Sequence, residues 1–65
     1  MDYIKTEDQL PEAHPLNGSN APYYFIHIEN YVPAIAMYLV DENGEKAWYK
    51  DYTAKIIKPV IRWAK

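Results

Sequence analysis

The chain has 65 residues, no cysteine, two histidines and a formal net charge of −2. That length makes one domain with little area for a core. The missing cysteines exclude disulfides, thiol nucleophiles and Cys-based metal sites, two histidines are too few for a zinc site, and mild acidity argues against non-specific nucleic-acid binding.

Residues 1–5 offer Tyr3 and Ile4 to a short edge strand. Residues 6–11 fit one helical turn, with Thr6 as N-cap, Gln9 closing a capping box and Leu10 pointing inward. Residues 11–22 (PEAHPLNGSNAP) read as a loop insertion, because three prolines and Asn17-Gly18 punctuate them. A loop that long in so small a domain is functional, mobile or an inherited insertion.

Residues 23–49 hold most of the large apolar side chains. In YYFIHI (residues 23–28), aromatic and β-branched residues suit a pleated surface. Period two puts Tyr24, Ile26 and Ile28 on one face and Tyr23, Phe25 and His27 on the other, and neither face is purely polar. Pro33 has no N–H for a ladder, so it marks the turn or the first position of the next strand. Residues 34–40, between Pro33 and Asp41, alternate Ile35, Met37 and Leu39 with Ala36, Tyr38 and Val40; a helix could also use Ile35, Tyr38 and Leu39, but the run is strand length and short for a helix. Asn43-Gly44 is a hairpin signal, since both residues tolerate positive φ. Residues 45–49 return as a third strand carrying Trp48 and Tyr49.

A helical alternative covers residues 45–58: Trp48, Tyr52 and Ile56 recur at i, i+4 and i+8, and Pro59 would end the helix. Residues 59–63 read as a last strand, with Val60 and Arg62 facing one way and Ile61 and Trp63 the other. The expected fold is therefore mainly β: an antiparallel meander of three strands plus short N- and C-terminal strands, with one short helix as an option.

Charge is segregated. Residues 1–45 carry eight carboxylates and one base, Lys5, whereas residues 46–65 carry six bases and one acid, Asp51. Either the basic segment folds over the acidic part, or one pole binds something charged. The charged N-terminus lacks the apolar segment of a secretion signal, and no apolar run approaches the roughly 20 residues that span a bilayer. A soluble cytoplasmic protein without a membrane partner is expected.

No enzyme signature emerges. The only glycines are Gly18 and Gly44, so no phosphate loop exists. Ser19, the one serine, lacks a nucleophile elbow. Glu7, Asp8 and Glu12 read as an exposed acidic turn, and His27 as a structural histidine. A metal site from His14 and His27 would need a second subunit. No catalytic residue, metal or cofactor is expected.

The aromatic surplus points to binding. Seven tyrosines, two tryptophans and a phenylalanine are more rings than so small a core holds, and buried tyrosine hydroxyls need partners. Tyr, Trp and Arg dominate binding hot spots, and rings beside basic side chains stack on nucleobases. Trp48, Tyr49 and Lys50, with Arg62, Trp63 and Lys65, have that mixture; Tyr31 and Tyr52, flanked by polar or turn residues, are the rings expected in solvent. The candidate binding residues are thus Tyr31, Trp48, Tyr49, Lys50, Tyr52, Arg62 and Trp63. The alternative makes Trp48 and Trp63 core and leaves the lysines merely solvated.

The segments Tyr3-Ile4-Lys5, Leu10-Pro11-Glu12, Trp48-Tyr49 and Val60-Ile61-Arg62-Trp63 together resemble a small domain of unknown function common in phages and prophages. That domain opens on an aromatic-Ile-Ser-Val stretch and Leu-Pro-Glu, and closes on His-Trp. Here Tyr3 replaces the usual opening Trp, Arg62 replaces the His, and residues 13–21 are an unusual insertion. The resemblance implies a phage origin and a strand at residues 45–49; it implies no activity. Two functions are expected from these readings. One is a phage accessory protein that binds a host protein and antagonises a defence system such as CRISPR–Cas. The other is a homo-oligomeric sponge that sequesters a signalling nucleotide. An enzyme with a carboxylate–histidine site built across a dimer is a third option.

Overall fold

The β-branched and aromatic segments form strands, as their alternation requires. The computed structural model describes residues 2–18 and 20–65. Seven strands and one 3-10 turn follow in chain order: β1 (Ile4–Lys5), β2 (His14–Pro15), β3 (Tyr24–Ile28), the turn Glu29–Tyr31, β4 (Val32–Val40), β5 (Lys46–Asp51), β6 (Ala54–Lys55) and β7 (Val60–Ala64). The sheet order is β1-β7-β3-β4-β5-β6, with β2 attached to β4. All pairings are antiparallel except β2 with β4. The expected meander is β3-β4-β5, and the expected terminal strands, β1 and β7, extend it beyond β3.

β4 organises the sheet. Its first half pairs with β3, from Ile28↔Val32 to Tyr24↔Ala36. Its second half pairs with β5, from Met37↔Tyr49 to Val40↔Lys46. Leu39 is opposite both His14 and Ala47, so β2 and β5 flank β4 on opposite edges.

The inner face holds the larger core: Tyr24, Ile26, Ala36, Tyr38, Trp48 and Trp63. Tyr24 stands edge-on to both tryptophans, with centroids 6.1 Å from Trp48 and 5.2 Å from Trp63. Such pairs contribute about 0.5–1.5 kcal/mol each beyond the area they bury. Trp63 Nε1–H donates to the Gln9 carbonyl at 2.8 Å, which satisfies the indole. Among the described residues no helical layer covers this face; the sheet's own connections do, with Ala13 and Ile56 packed against it.

A second core lies on the outer face, where Met37, Leu39 and Tyr49 are buried with Ala21. Its cover is the segment read as a loop insertion. Leu16 and Tyr52 pack there, Leu16 N–H donates to the Val40 carbonyl at 2.8 Å, and Ala21 N–H donates to the Tyr52 hydroxyl at 3.2 Å.

Several local expectations are corrected. Residues 45–58 contain β5 and β6 and no helix, because Trp48 and Tyr49 are drawn to opposite faces of the sheet. Thr6 does not cap a helical turn: its hydroxyl reaches across to the Val60 carbonyl at 2.7 Å, tying β1 to β7. Leu10 is exposed rather than inward. In the β4–β5 hairpin only Gly44 takes positive φ, at 84°. Asp41 fixes the rest, its carboxylate accepting from the Asn43 and Glu45 amides at 2.9 Å each. Val60 packs on the inner core with Trp63, because a register shift between His27 and Ile28 breaks the alternation along β7.

Candidate binding face

The outer face continues past the second core onto the first half of β4, where Phe25 and Ile35 are left in solvent although Ala64 beside Phe25 is buried. Registers place two rows of side chains on this face. Lys5, Arg62, His27 and Pro33 are opposite one another across β1, β7, β3 and β4. In the next row, Ala64, Phe25 and Ile35 are opposite across β7, β3 and β4. Opposed residues share a face, so this region joins a cationic, aromatic end to an apolar end. Phe25 is 43 % exposed and Ile35 53 % exposed.

Arg62 is the centre of the cationic end. Its guanidinium carbon lies 4.8 Å from the Tyr3 ring centroid and 5.1 Å from that of Tyr31. Its Nε–H donates to His27 Nδ1 at 2.9 Å, which places the imidazole proton on Nε2. His27 is in turn 4.5 Å from Tyr3 and 6.3 Å from Tyr31, centroid to centroid. The guanidinium is therefore held by two rings and one imidazole nitrogen, and its one hydrogen bond among the described residues goes to no carboxylate. Cation–π contacts of this exposed kind contribute about 0.5–1 kcal/mol each.

Tyr31 reaches this position through an unfavourable backbone. Asn30 and Tyr31 take φ of 67° and 57° in succession, closing the β3–β4 connection. Asparagine tolerates that region; for a tyrosine it costs about 1–2 kcal/mol. Glycine would close the same turn without that penalty. The strained residue is also the most exposed tyrosine, at 59 %. Beside it a solvent-open cleft of about 470 Å³ is lined by Tyr3, Lys5, Glu7, Tyr31 and Arg62, among others.

Of the candidate residues named from sequence, the structure unites Tyr31 and Arg62. Trp48, Tyr49 and Trp63 are buried and present no ring to a partner, which corrects their assignment to a binding surface. Adjacent positions on a strand face opposite ways, so Trp63 turns inward from Arg62. Lys50 is exposed at another cleft, with Lys55 and Lys58. Tyr52 is half-buried over the second core. Tyr3, Phe25, His27 and Ile35 were not among the sequence candidates. The alternation of residues 23–28 did place Phe25 and His27 on one face, but only strand order brings Tyr3 and Arg62 beside them.

The remaining titratable features are minor. His14 on β2 has a buried Nδ1 without a partner among the described residues. No group of three or more His, Cys, Asp or Glu side chains among them is arranged to hold a metal ion. No described helix is long and apolar enough to cross a membrane. Burial pushes the Tyr38 phenol up, whereas Asp51 is held below the usual aspartate value by hydrogen bonds from the Thr53 hydroxyl and amide. No protein-family model matches the chain, and no curated protein or solved structure is similar to it.

Proposed function

We propose that this chain is a non-enzymatic binding protein that holds a partner protein on the open half of its outer sheet face. One observation carries this reading: Phe25 and Ile35 are directly opposite on neighbouring strands, and both remain in solvent. An apolar patch rimmed by Tyr and Arg has the composition of a binding hot spot, and Tyr31 and Arg62 supply that rim. The resemblance to a phage and prophage domain gives the partner a class. It is a host protein, a component of a defence system, which a small phage-encoded accessory protein antagonises by occupying it.

The test compares wild type with the Phe25→Ser/Ile35→Ser double variant as cross-linking baits in host lysate. Both positions are exposed, so the substitutions should leave the fold intact. A partner retained by wild type, lost by the variant, and bound again from purified components supports the reading. Equal capture by the two baits, or none by wild type, sinks it. Light scattering after size exclusion separates one further occupant: if a second copy fills the face, wild type is a dimer and the variant a monomer.

A further inference from the structure

We propose that the cleft beside Arg62 is a binding site for a phosphate monoester carried on a planar ring. Lys5 and Arg62 are directly opposite on antiparallel strands, so their charges emerge side by side on one face. Like charges so placed repel, and an oxyanion between them removes the repulsion. Arg62 is already positioned: its Nε–H donates to His27 Nδ1, and its guanidinium carbon lies against both the Tyr3 and Tyr31 rings. Both terminal nitrogens, which the Nε bond does not use, can make the paired hydrogen bonds that guanidinium gives phosphate.

The ring requirement comes from Tyr31. Its backbone is held at positive φ, and its ring is in solvent at the cleft margin. Strain of this kind persists where an arrangement serves a site, and an exposed tyrosine face stacks on a nucleobase or phenyl ring. A volume of about 470 Å³ matches the size of small-ligand clefts. Glu7 also lines it, so Lys5 and Arg62 together exceed it by one charge. Two further clefts among the described residues lack this combination. One, at Leu16, Asn17 and residues 41–43, is acidic; the other has lysines and no ring. The site does not depend on the apolar patch of Phe25 and Ile35, so either proposal can fail while the other stands.

The experiment is an NMR titration of the labelled full chain, following the Arg62 Nε–H and the tyrosine rings. The probes are AMP, phenyl phosphate, inorganic phosphate and adenosine. AMP and phenyl phosphate are expected to shift both sets of signals saturably, and their relative affinities tell a nucleotide from a phosphorylated phenol as the source of the group. Arg62→Gln is expected to weaken binding about tenfold or more, the loss of a charge-assisted hydrogen bond. Glu7→Gln is expected to tighten it about threefold by removing a nearby like charge. Tyr31→Gly is expected to weaken binding without lowering Tm, because it removes the stack and the backbone strain together. Three results would overturn the proposal: adenosine binding as well as AMP, inorganic phosphate binding as tightly as phenyl phosphate, or Arg62→Gln and Glu7→Gln leaving affinity unchanged.

Discussion

The two halves of the outer sheet face are built from the same strand and meet different fates. Along β4, Ile35, Met37 and Leu39 point the same way. Met37 and Leu39 are 0 % exposed, and Ile35, two residues earlier, is 53 % exposed. The difference is not in the side chains. Leu16, Ala21 and Tyr52 reach the second half of β4 and do not reach the first. An apolar residue on a strand is thus core or contact surface according to what the rest of the chain lays over it.

That comparison can be broken by truncating each half in turn. Leu39→Ala is expected to destabilise by about 2–5 kcal/mol, the range for a buried leucine that leaves a cavity. Ile35→Ala should change stability by about 0.5 kcal/mol or less, as for other exposed positions. Urea unfolding midpoints of both variants measure the contrast directly, and equal losses would mean that the open half is covered in solution.

The cover itself gives the next effect. Leu16→Ala removes a half-buried side chain from the second core and should cost about 1–2 kcal/mol, less than a fully buried leucine. Native-state hydrogen exchange at the Leu16 amide, which bonds Val40, should speed up with it. Tyr52→Phe is smaller again. It removes the acceptor for the Ala21 amide, about 0.5–1.5 kcal/mol, and exchange at Ala21 should rise while the ring packing persists.

The smallest effect lies in the β5–β6 turn, outside both halves, and serves as a control. The folded Asp51 carboxyl is held below its unfolded value by the Thr53 hydroxyl and then by the Thr53 amide. Its contribution is therefore complete above the ordinary aspartate value of 3.8 and is lost as pH falls through the lower folded value. Wild type and Asp51→Asn should differ slightly in urea midpoint at neutral pH and converge in acid, whereas the gap between wild type and Leu39→Ala should persist at both.

The sequence by itself pointed to a mainly β fold and to β3 and β4, because strong alternation and Pro33 act over a few neighbouring residues, but it left residues 45–58 open between β5 and a helix, since Trp48, Tyr52 and Ile56 also recur at helical spacing. It also split Tyr24, Ile26 and Ile28 from Phe25 and His27, since period two is a property of any strand. Only the tertiary structure decided which of those faces is covered. It turned the proline-punctuated segment into the lid of a second core, gave Trp48, Tyr49 and Trp63 to the interior, and left Phe25 and Ile35 outside. It also gathered Tyr3, just before β1, with His27, Tyr31 and Arg62 from three separate elements. The physical reason is that strand pairing is non-local: the face a residue occupies follows from its own alternation, but its neighbours across the sheet and the cover above it come from distant parts of the chain.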